Sequence, residues 1–299
     1  MNNTSDLHVH SKFSNDGEFE IQEIVDRCIS NEVDVLSITD HNSISGIKEA
    51  IPICLNSDID LIPGIEIDCS YQDIDLHLLG YNIDWLSNDF VELEKSIRKK
   101  VMDSFPEMIF NLKRVGIEVD ENDVLEKANG KLPCGELIAE VLLSKNECRS
   151  NPKLLPYVSG GKRSDMPYIN FYHDFFAQGM PAYVKISHMD FTDAVELVRS
   201  NGGTPIIAHP GLNLRGKEEL IVELFKHGAA GLEAFNNYHD ARQMDYFADF
   251  ARQESLLITG GSDFHGKNKP LIDIGKYPVP DKYKGYDLNQ KGISLKIRH

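Results

Sequence analysis

The chain has 299 residues, 41% of them hydrophobic and 26% charged, with 31 Lys and Arg against 47 Asp and Glu for a formal net charge of −16. That composition excludes wholesale disorder, collagen and coiled coil, and the length suits two domains or one large α/β barrel. An acidic balance of this size repels a nucleic-acid backbone at long range, which argues against a duplex-DNA module.

In chain order, Leu7-His8-Val9 reads as a brief strand and Phe19 to Asn31 as a helix with Ile21, Ile24, Val25, Cys28 and Ile29 on one face. Val33 to Thr39 is a β-rich run ending at Asp40-His41, and Ser43 to Cys54 is helical. Leu61 to Ile67, interrupted by Pro63-Gly64, and Leu76 to Ile83 are the next strands. The last third resumes the alternation. Its helices are Asp193 to Ser200, Glu218 to His227 and Arg242 to Glu254, and its strands are Pro205 to Ala208, Ala230 to Phe235 and Leu256 to Thr259. Strand–helix alternation predicts parallel βαβ units. The stretch from Leu86 to Ile186 has helical patterns and few strands, with Lys95, Arg98, Lys99, Lys100, Lys113 and Arg114 between Val91 and Val115. It reads as a helical insertion, residues 87–186, in a barrel built from 1–86 and 187–299. The tail from Lys276 is basic, with six Lys and Arg against two Asp.

No apolar run approaches the ~18 residues of a membrane span, and the first residues lack the pattern of a secretion signal. The five cysteines, Cys28, Cys54, Cys69, Cys134 and Cys148, are odd in number and form no C-x-x-C pair. They fit reduced thiols, and a cytoplasmic setting is expected.

Residues of ligand type recur where the strands stop: His8 and His10, Asp16, Asp40-His41, Glu66, His77, His209, and Asp263 with His265. The functional face of an α/β barrel is the C-terminal end of its strands. An i, i+2 pair on a strand points to one side, so His8-x-His10 is a natural two-toothed clip, and Asp263-x-His265 repeats the spacing. Each motif alone has an ordinary reading: a helix cap at Asp40, a turn at His209-Pro210-Gly211, a solvated Glu66. Together they predict a metal centre. Imidazole and carboxylate without thiolate suit Mn, Fe(II) or Zn in a catalytic rather than a closed structural site. His173, His188, His227 and His299 lie outside the pattern and are expected at the surface.

The motifs Asp6-Leu-His-Val-His-Ser11, Ser14-Asn-Asp-Gly17, Thr39-Asp-His41, Gly64-Ile-Glu66, His77-Leu-Leu-Gly80, Ala208-His-Pro-Gly211 and Gly261-Ser-Asp-Phe-His-Gly266 resemble the PHP (polymerase and histidinol phosphatase) metallo-phosphoesterase family. The resemblance implies a distorted (β/α)7 barrel holding two or three divalent ions. It implies one ion on His8, His10, Glu66 and Asp263, a second on Glu66, His77 and His209, and a third on Asp16, His41 and His265, with Asp40 orienting an imidazole or a bridging water. Within the family, Gly231-Leu-Glu-Ala-Phe235, His239 and Phe176 to Tyr183 resemble the branch of 3',5'-nucleoside bisphosphatases and 5'→3' exonucleases. That likeness implies a small phosphorylated substrate of nucleotide type, attack on phosphorus by metal-activated hydroxide, and a His239 that touches the phosphate or protonates the leaving group. One departure stands out. Where the branch carries Arg-Pro-His, this chain has Gly135-Glu136-Leu137, so Arg149, Lys162 or Arg163 would replace the grip, or the substrate is a cyclic or other small phosphate ester. A metal-stabilised module that only binds a phosphorylated ligand is the non-enzymatic alternative. The sequence is silent on oligomeric state.

Overall fold

A computed structural model describes residues 4–284. The first half-barrel comprises β1 (Ser5–Val9), α1 (Ile21–Ser30), β2 (Val35–Ile38), α2 (Ser45–Asn56), β3 (Asp60–Tyr71) and β4 (Ile74–Tyr81). Four helices follow: α3 (Asn88–Arg114), α4 (Glu121–Ala128), α5 (Gly135–Ser144) and α6 (Pro167–Phe175). The chain then runs through β5 (Met189–Asp190), α7 (Phe191–Ser200), β6 (Thr204–Ile207), α8 (Pro210–Asn213), α9 (Ile221–Lys226), β7 (Gly231–Phe235), α10 (Ala241–Gln253) and β8 (Leu257–Gly260).

The main strands lie in the order β1-β2-β3-β4-β6-β7-β8, with the two-residue β5 attached to β3. The sheet nearly closes where the segment after β8 meets β1. There the Asp263 N–H donates to His8 O at 2.9 Å, and the His10 N–H donates to Phe264 O at 3.0 Å. Gly261 permits this approach, because a Cβ there would stand 2.4 Å from His8 Cβ and 2.7 Å from its nitrogen. The fold is thus the expected mixed α/β, barrel-shaped sheet of seven strands.

Its strands are not uniformly parallel. β4 runs antiparallel to both β3 and β6. The cause is the two-residue turn Gln72-Asp73, with φ of +48° and +64°, a hairpin geometry whose twist matches its strands and leaves no room for a crossover helix. Pro63-Gly64 does not break β3 either. Asp60 to Pro63 pair with β2, whereas Gly64 to Tyr71 pair with β4. A proline offers no N–H to a ladder, and the strand changes neighbour at that point.

Apolar spacing explains the helical layer. Ile21, Ile24, Val25 and Cys28 of α1 are buried, while Ile29 falls off the stripe at 54% exposure. Glu20 and Glu23 form a capping box at its start. Leu7, Ile62, Leu79, Tyr81, Ile206 and Ala208 form one small cluster drawn from β1, β3, β4 and the β6 end, beneath the ligand-type residues. α3 serves two cores. Phe90, Leu93 and Ile97 join the large barrel core, whereas Phe105, Met108, Ile109 and Leu112 join a separate cluster with α5 and α6. The cations of α3 are spent on its surface: Lys95 pairs with Glu92, Lys99 with Asp103, and Arg98 donates to Gly130 O. Of the basic tail, residues 276–284 are described, and the remainder, His299 included, lies outside the described residues. Among the described residues no helix is long and apolar enough to cross a membrane, and all five cysteines are free thiols.

Candidate metal centre

The sheet delivers the ligand-type side chains to one end of the barrel. β1 carries a register shift between Asp6 and Val9, one residue more than β2 opposite it. Leu7 therefore enters the small inner cluster and Val9 faces α1 and α2, while His8 and His10 both reach Glu66 Oε2 at 3.1 Å. Glu66 is fully buried on β3. His77 stands opposite Asp68 in the β3–β4 ladder. Because β4 is antiparallel, its N-terminal half, rather than its C-terminal end, lies at the functional face. His209 follows β6, and Asp263 and His265 follow β8. Both His209 (φ +22°) and Asp263 (φ +57°) occupy left-handed backbone conformations, the kind of local strain that surrounding structure must hold in place.

Glu66 is the hub. Its Oε2 faces His8, His10 and, at 3.5 Å, His41 Nδ1. Its Oε1 lies 2.9 Å from His77 Nδ1 and 3.1 Å from His209 Nε2. Asp263 Oδ1 lies 3.4 Å from His8 Nε2 and 3.2 Å from His10 Nε2. Asp16 Oδ2 lies 3.0 Å from His265 Nε2 and 3.7 Å from His41 Nε2. Three overlapping groups result: His8, His10, Glu66 and Asp263; His10, Asp16, His41 and His265; and His41, Glu66 and His77. The first coincides with one expected set. The other two share His10 and His41 more widely than expected, and His209 reaches the centre through Glu66 Oε1.

The donors fit divalent ions. His8 Nε2, His10 Nε2, His41 Nδ1, Glu66 Oε2, Asp263 Oδ1 and His265 Nε2 are buried and have no hydrogen-bond partner. Buried polar atoms are ordinarily satisfied, and six orphans gathered among His and carboxylate side chains make a site for cations. Their tautomers agree. The His8 Nδ1–H donates to Glu233 Oε1 at 3.1 Å and the His265 Nδ1–H to Asp263 O at 2.9 Å, which leaves each Nε2 lone pair free.

Protons compete for the same nitrogens: burial disfavours charge on His8, but the Glu66, Glu233 and Asp263 carboxylates raise it well above its usual value. Burial disfavours charge on Glu66, but the His8, His41 and His77 imidazoles hold its carboxyl well below the usual range. Burial likewise opposes Asp263, and the Lys269 ammonium beside it is the foremost of the charges that hold its carboxyl well below the usual range. Burial pushes His265 down to about 4, so its ring is neutral and able to ligate. The Glu66, Asp16 and Asp68 carboxylates raise His41 against burial, so protons and metal compete for that nitrogen.

Three supporting residues escaped the sequence reading. Glu233, fully buried on β7, accepts from His8 Nδ1–H, from the His209 N–H at 3.0 Å and from Asn236 Nδ2 at 3.1 Å. A lone carboxylate inside the apolar run Gly231–Phe235 was its signal. Asp68 Oδ1 lies 3.1 Å from His41 Nδ1 and 3.5 Å from His77 Nε2; it stands two residues beyond Glu66 on the same strand face. The Tyr238 hydroxyl donates to Asp263 Oδ2 at 2.7 Å.

Asp40 and His239 sit differently from expectation. Asp40 accepts from the Ser11 N–H at 2.6 Å and the Ser11 hydroxyl at 2.7 Å, so it fixes the residue after His10 rather than an imidazole. His239 has neither ring nitrogen free for a substrate. Its Nε2 accepts from the Gly211 N–H and its Nδ1–H donates to Ala234 O, both at 2.9 Å. It braces the His209 turn. Among the proposed replacement cations, Arg163 is held by Asp174 in two contacts of 2.8 and 3.0 Å. Arg149 lines a groove with Lys145, Tyr157 and Tyr168 between the end of α5 and the start of α6. His173 is half-buried on α6 rather than at the surface, and burial pushes it down to about 4, whereas His227 is exposed as expected, with hydrogen bonds to Tyr71 and Thr192.

The PHP domain profile matches residues 6–149. A 5'-3' exoribonuclease of Haemophilus influenzae is 30% identical, covering 95% of this chain and 100% of its own. A 3',5'-nucleoside bisphosphate phosphatase of Chromobacterium violaceum is 27% identical, covering 90% of each. A crystal structure described as a metal-dependent phosphoesterase from Bifidobacterium adolescentis shares the fold, with a TM-score of 0.77 and 22% identity over 99% of both chains.

Proposed function

This chain belongs to the PHP family, and from that premise we propose that it is a metal-dependent phosphoesterase acting on a nucleoside 3',5'-bisphosphate or a short oligonucleotide. The observation that carries the reaction type is the constellation around Glu66: three overlapping His/carboxylate groups that include six buried atoms with no hydrogen-bond partner. The substrate class rests on the two full-length relatives.

His8, His10, Glu66 and Asp263 would hold one ion, His77 and His209 with Glu66 a second, and Asp16, His41 and His265 a third. Mn, Fe or Zn suits these donors. Such ions, when bound, activate water near neutral pH and offset charge on the phosphoryl oxygens. The chain's own residues do the positioning. Glu233 fixes the His8 tautomer and the His209 backbone at once. Asp68 braces His41 and His77. Asp40 and His239 act through their neighbours, holding Ser11 and the Gly211 turn. The insertion, 87–186, would cover the cluster and select the leaving group.

The test is phosphate release from adenosine 3',5'-bisphosphate by Mn-loaded protein, with 5'-AMP as control. Selective loss of the 3' phosphate is expected. No release from protein carrying two or three ions per chain would sink the bisphosphatase reading.

Glu136 favours a second reading, a cyclic or other small phosphate ester. At the start of α5 it sets a buried carboxyl, pushed up to about 7 by burial and by Asp16, where a cation would grip a second phosphate. Faster turnover of cyclic nucleotides or sugar phosphates than of the bisphosphate would select it.

A further inference from the structure

Lys269 is the one lysine or arginine among the described residues that is buried, at 6% exposure. It follows the 3-10 turn Gly266–Asn268 just beyond His265. Its Nζ donates to Asp263 Oδ2 at 2.6 Å and lies 5.2 Å from the Tyr238 ring centre. The Tyr238 hydroxyl donates to the same oxygen, so Oδ2 is occupied and Oδ1 is left facing His8 and His10. The other two Nζ–H groups have no hydrogen-bond partner among the described residues. Asp263 offsets the charge of this buried ammonium, but its two unspent donors stay costly unless a further acceptor meets them. Beside a cation site that cost rises, since the ammonium repels the ions the cluster would bind. What offsets both is an anion shared between the ions and the lysine. The turn Gly266–Asn268 that precedes Lys269 packs against α6, the helix that carries His173. The insertion itself offers little competition, since Arg163 is held by Asp174, and Lys131 donates to Ser14 O and Gly17 O.

We propose that Lys269 is a substrate-contacting residue whose Nζ hydrogen-bonds a non-bridging oxygen of the phosphate held at the Glu66 cluster, supplying from the barrel the cation that the 135–137 stretch lacks. The proposal rests on the phosphoesterase reading for its substrate but not for its test. Phosphate binding is measured by calorimetry on Mn-loaded protein, with inorganic phosphate as the probe and metal content determined alongside. Lys269→Met is expected to weaken phosphate binding at least tenfold with ion content unchanged, and Lys269→Arg to stay within about threefold of wild type. Where turnover is measurable, KM for the ester rises in parallel. Unchanged phosphate affinity in Lys269→Met would overturn the proposal. So would weakened binding accompanied by loss of metal, which would make Lys269 only a brace for Asp263. If Lys269→Met fails to fold, Lys269→Gln, which keeps a donor toward Asp263, is read against the same thresholds. A wild-type protein that binds phosphate through Lys269 yet hydrolyses no ester would defeat the enzymatic reading alone.

Discussion

At the scale of single residues, burial decides which side chains matter. Glu233 and Asp6 are both fully buried carboxylates, and their hydrogen bonds assign them different work. Glu233 holds both His8 and His209, so Glu233→Gln turns an amide N–H toward either His8 Nδ1–H or the His209 N–H. Metal affinity should fall by about 10- to 100-fold with little loss of fold, read by competition with a chromogenic chelator. Removing a ligand outright is harsher. His8→Ala or Asp263→Ala should lower kcat at least ~100-fold with metal replete, and near-normal turnover would refute the site. Asp6 accepts from the Gly275 N–H at 2.7 Å and the Ser262 N–H at 2.9 Å, and burial pushes its carboxyl up to about 6. An acid raised above its ordinary ~3.9 binds its proton more tightly folded than unfolded, so its contribution to stability is lost as pH rises from about 4 to about 6. A rise of this size corresponds to ~3 kcal/mol. Denaturant melts should show wild type losing that much relative to Asp6→Asn between pH 4 and pH 7; a constant difference would contradict it.

At the scale of elements, strand alternation was readable and its interruptions were not. The His8-x-His10 spacing predicts two imidazoles on one side, and both reach Glu66. The extra residue of β1, which sets Leu7 beneath them, leaves no local signature, because a bulge is defined by the partner strand. The β3–β4 hairpin hides in Gln72-Asp73, a turn pair without glycine. α5 and α6 meet at Gly135, where a Cβ would stand 2.6 Å from the Phe176 ring and 2.9 Å from that of Tyr172. Gly135→Ala should therefore push α6 away at a cost of ~1–3 kcal/mol. Hydrogen exchange is expected to quicken across 135–175 while β1 and β3 keep their protection; uniform exchange would show that the two helices do not depend on this contact.

For the whole molecule, the cluster ties together both ends of the chain. His8 and Asp263 lie on either side of the sheet's closure. Without ions, buried carboxylates and imidazoles depend on one another for charge balance, and any ion bound only by the folded state stabilises it by mass action, ~2.7 kcal/mol at a hundredfold excess over Kd. Chelation should lower Tm, and Mn should restore it. A melt indifferent to chelator, in protein verified to lose its ions, would show that the fold closes without them.

The sequence by itself determined the barrel class and nominated the residues now gathered around Glu66, because donor chemistry and strand alternation are local properties written in residue type and spacing. Tertiary structure decided what each donor answers to. His8 depends on Glu233, 225 residues away. His239, nominated for chemistry, spends both ring nitrogens on backbone. Lys269, unmarked in the chain, ends against the Asp263 carboxylate. Hydrogen-bond allegiance between buried groups is fixed only when the strands close and exclude water, and no spacing along the chain records it.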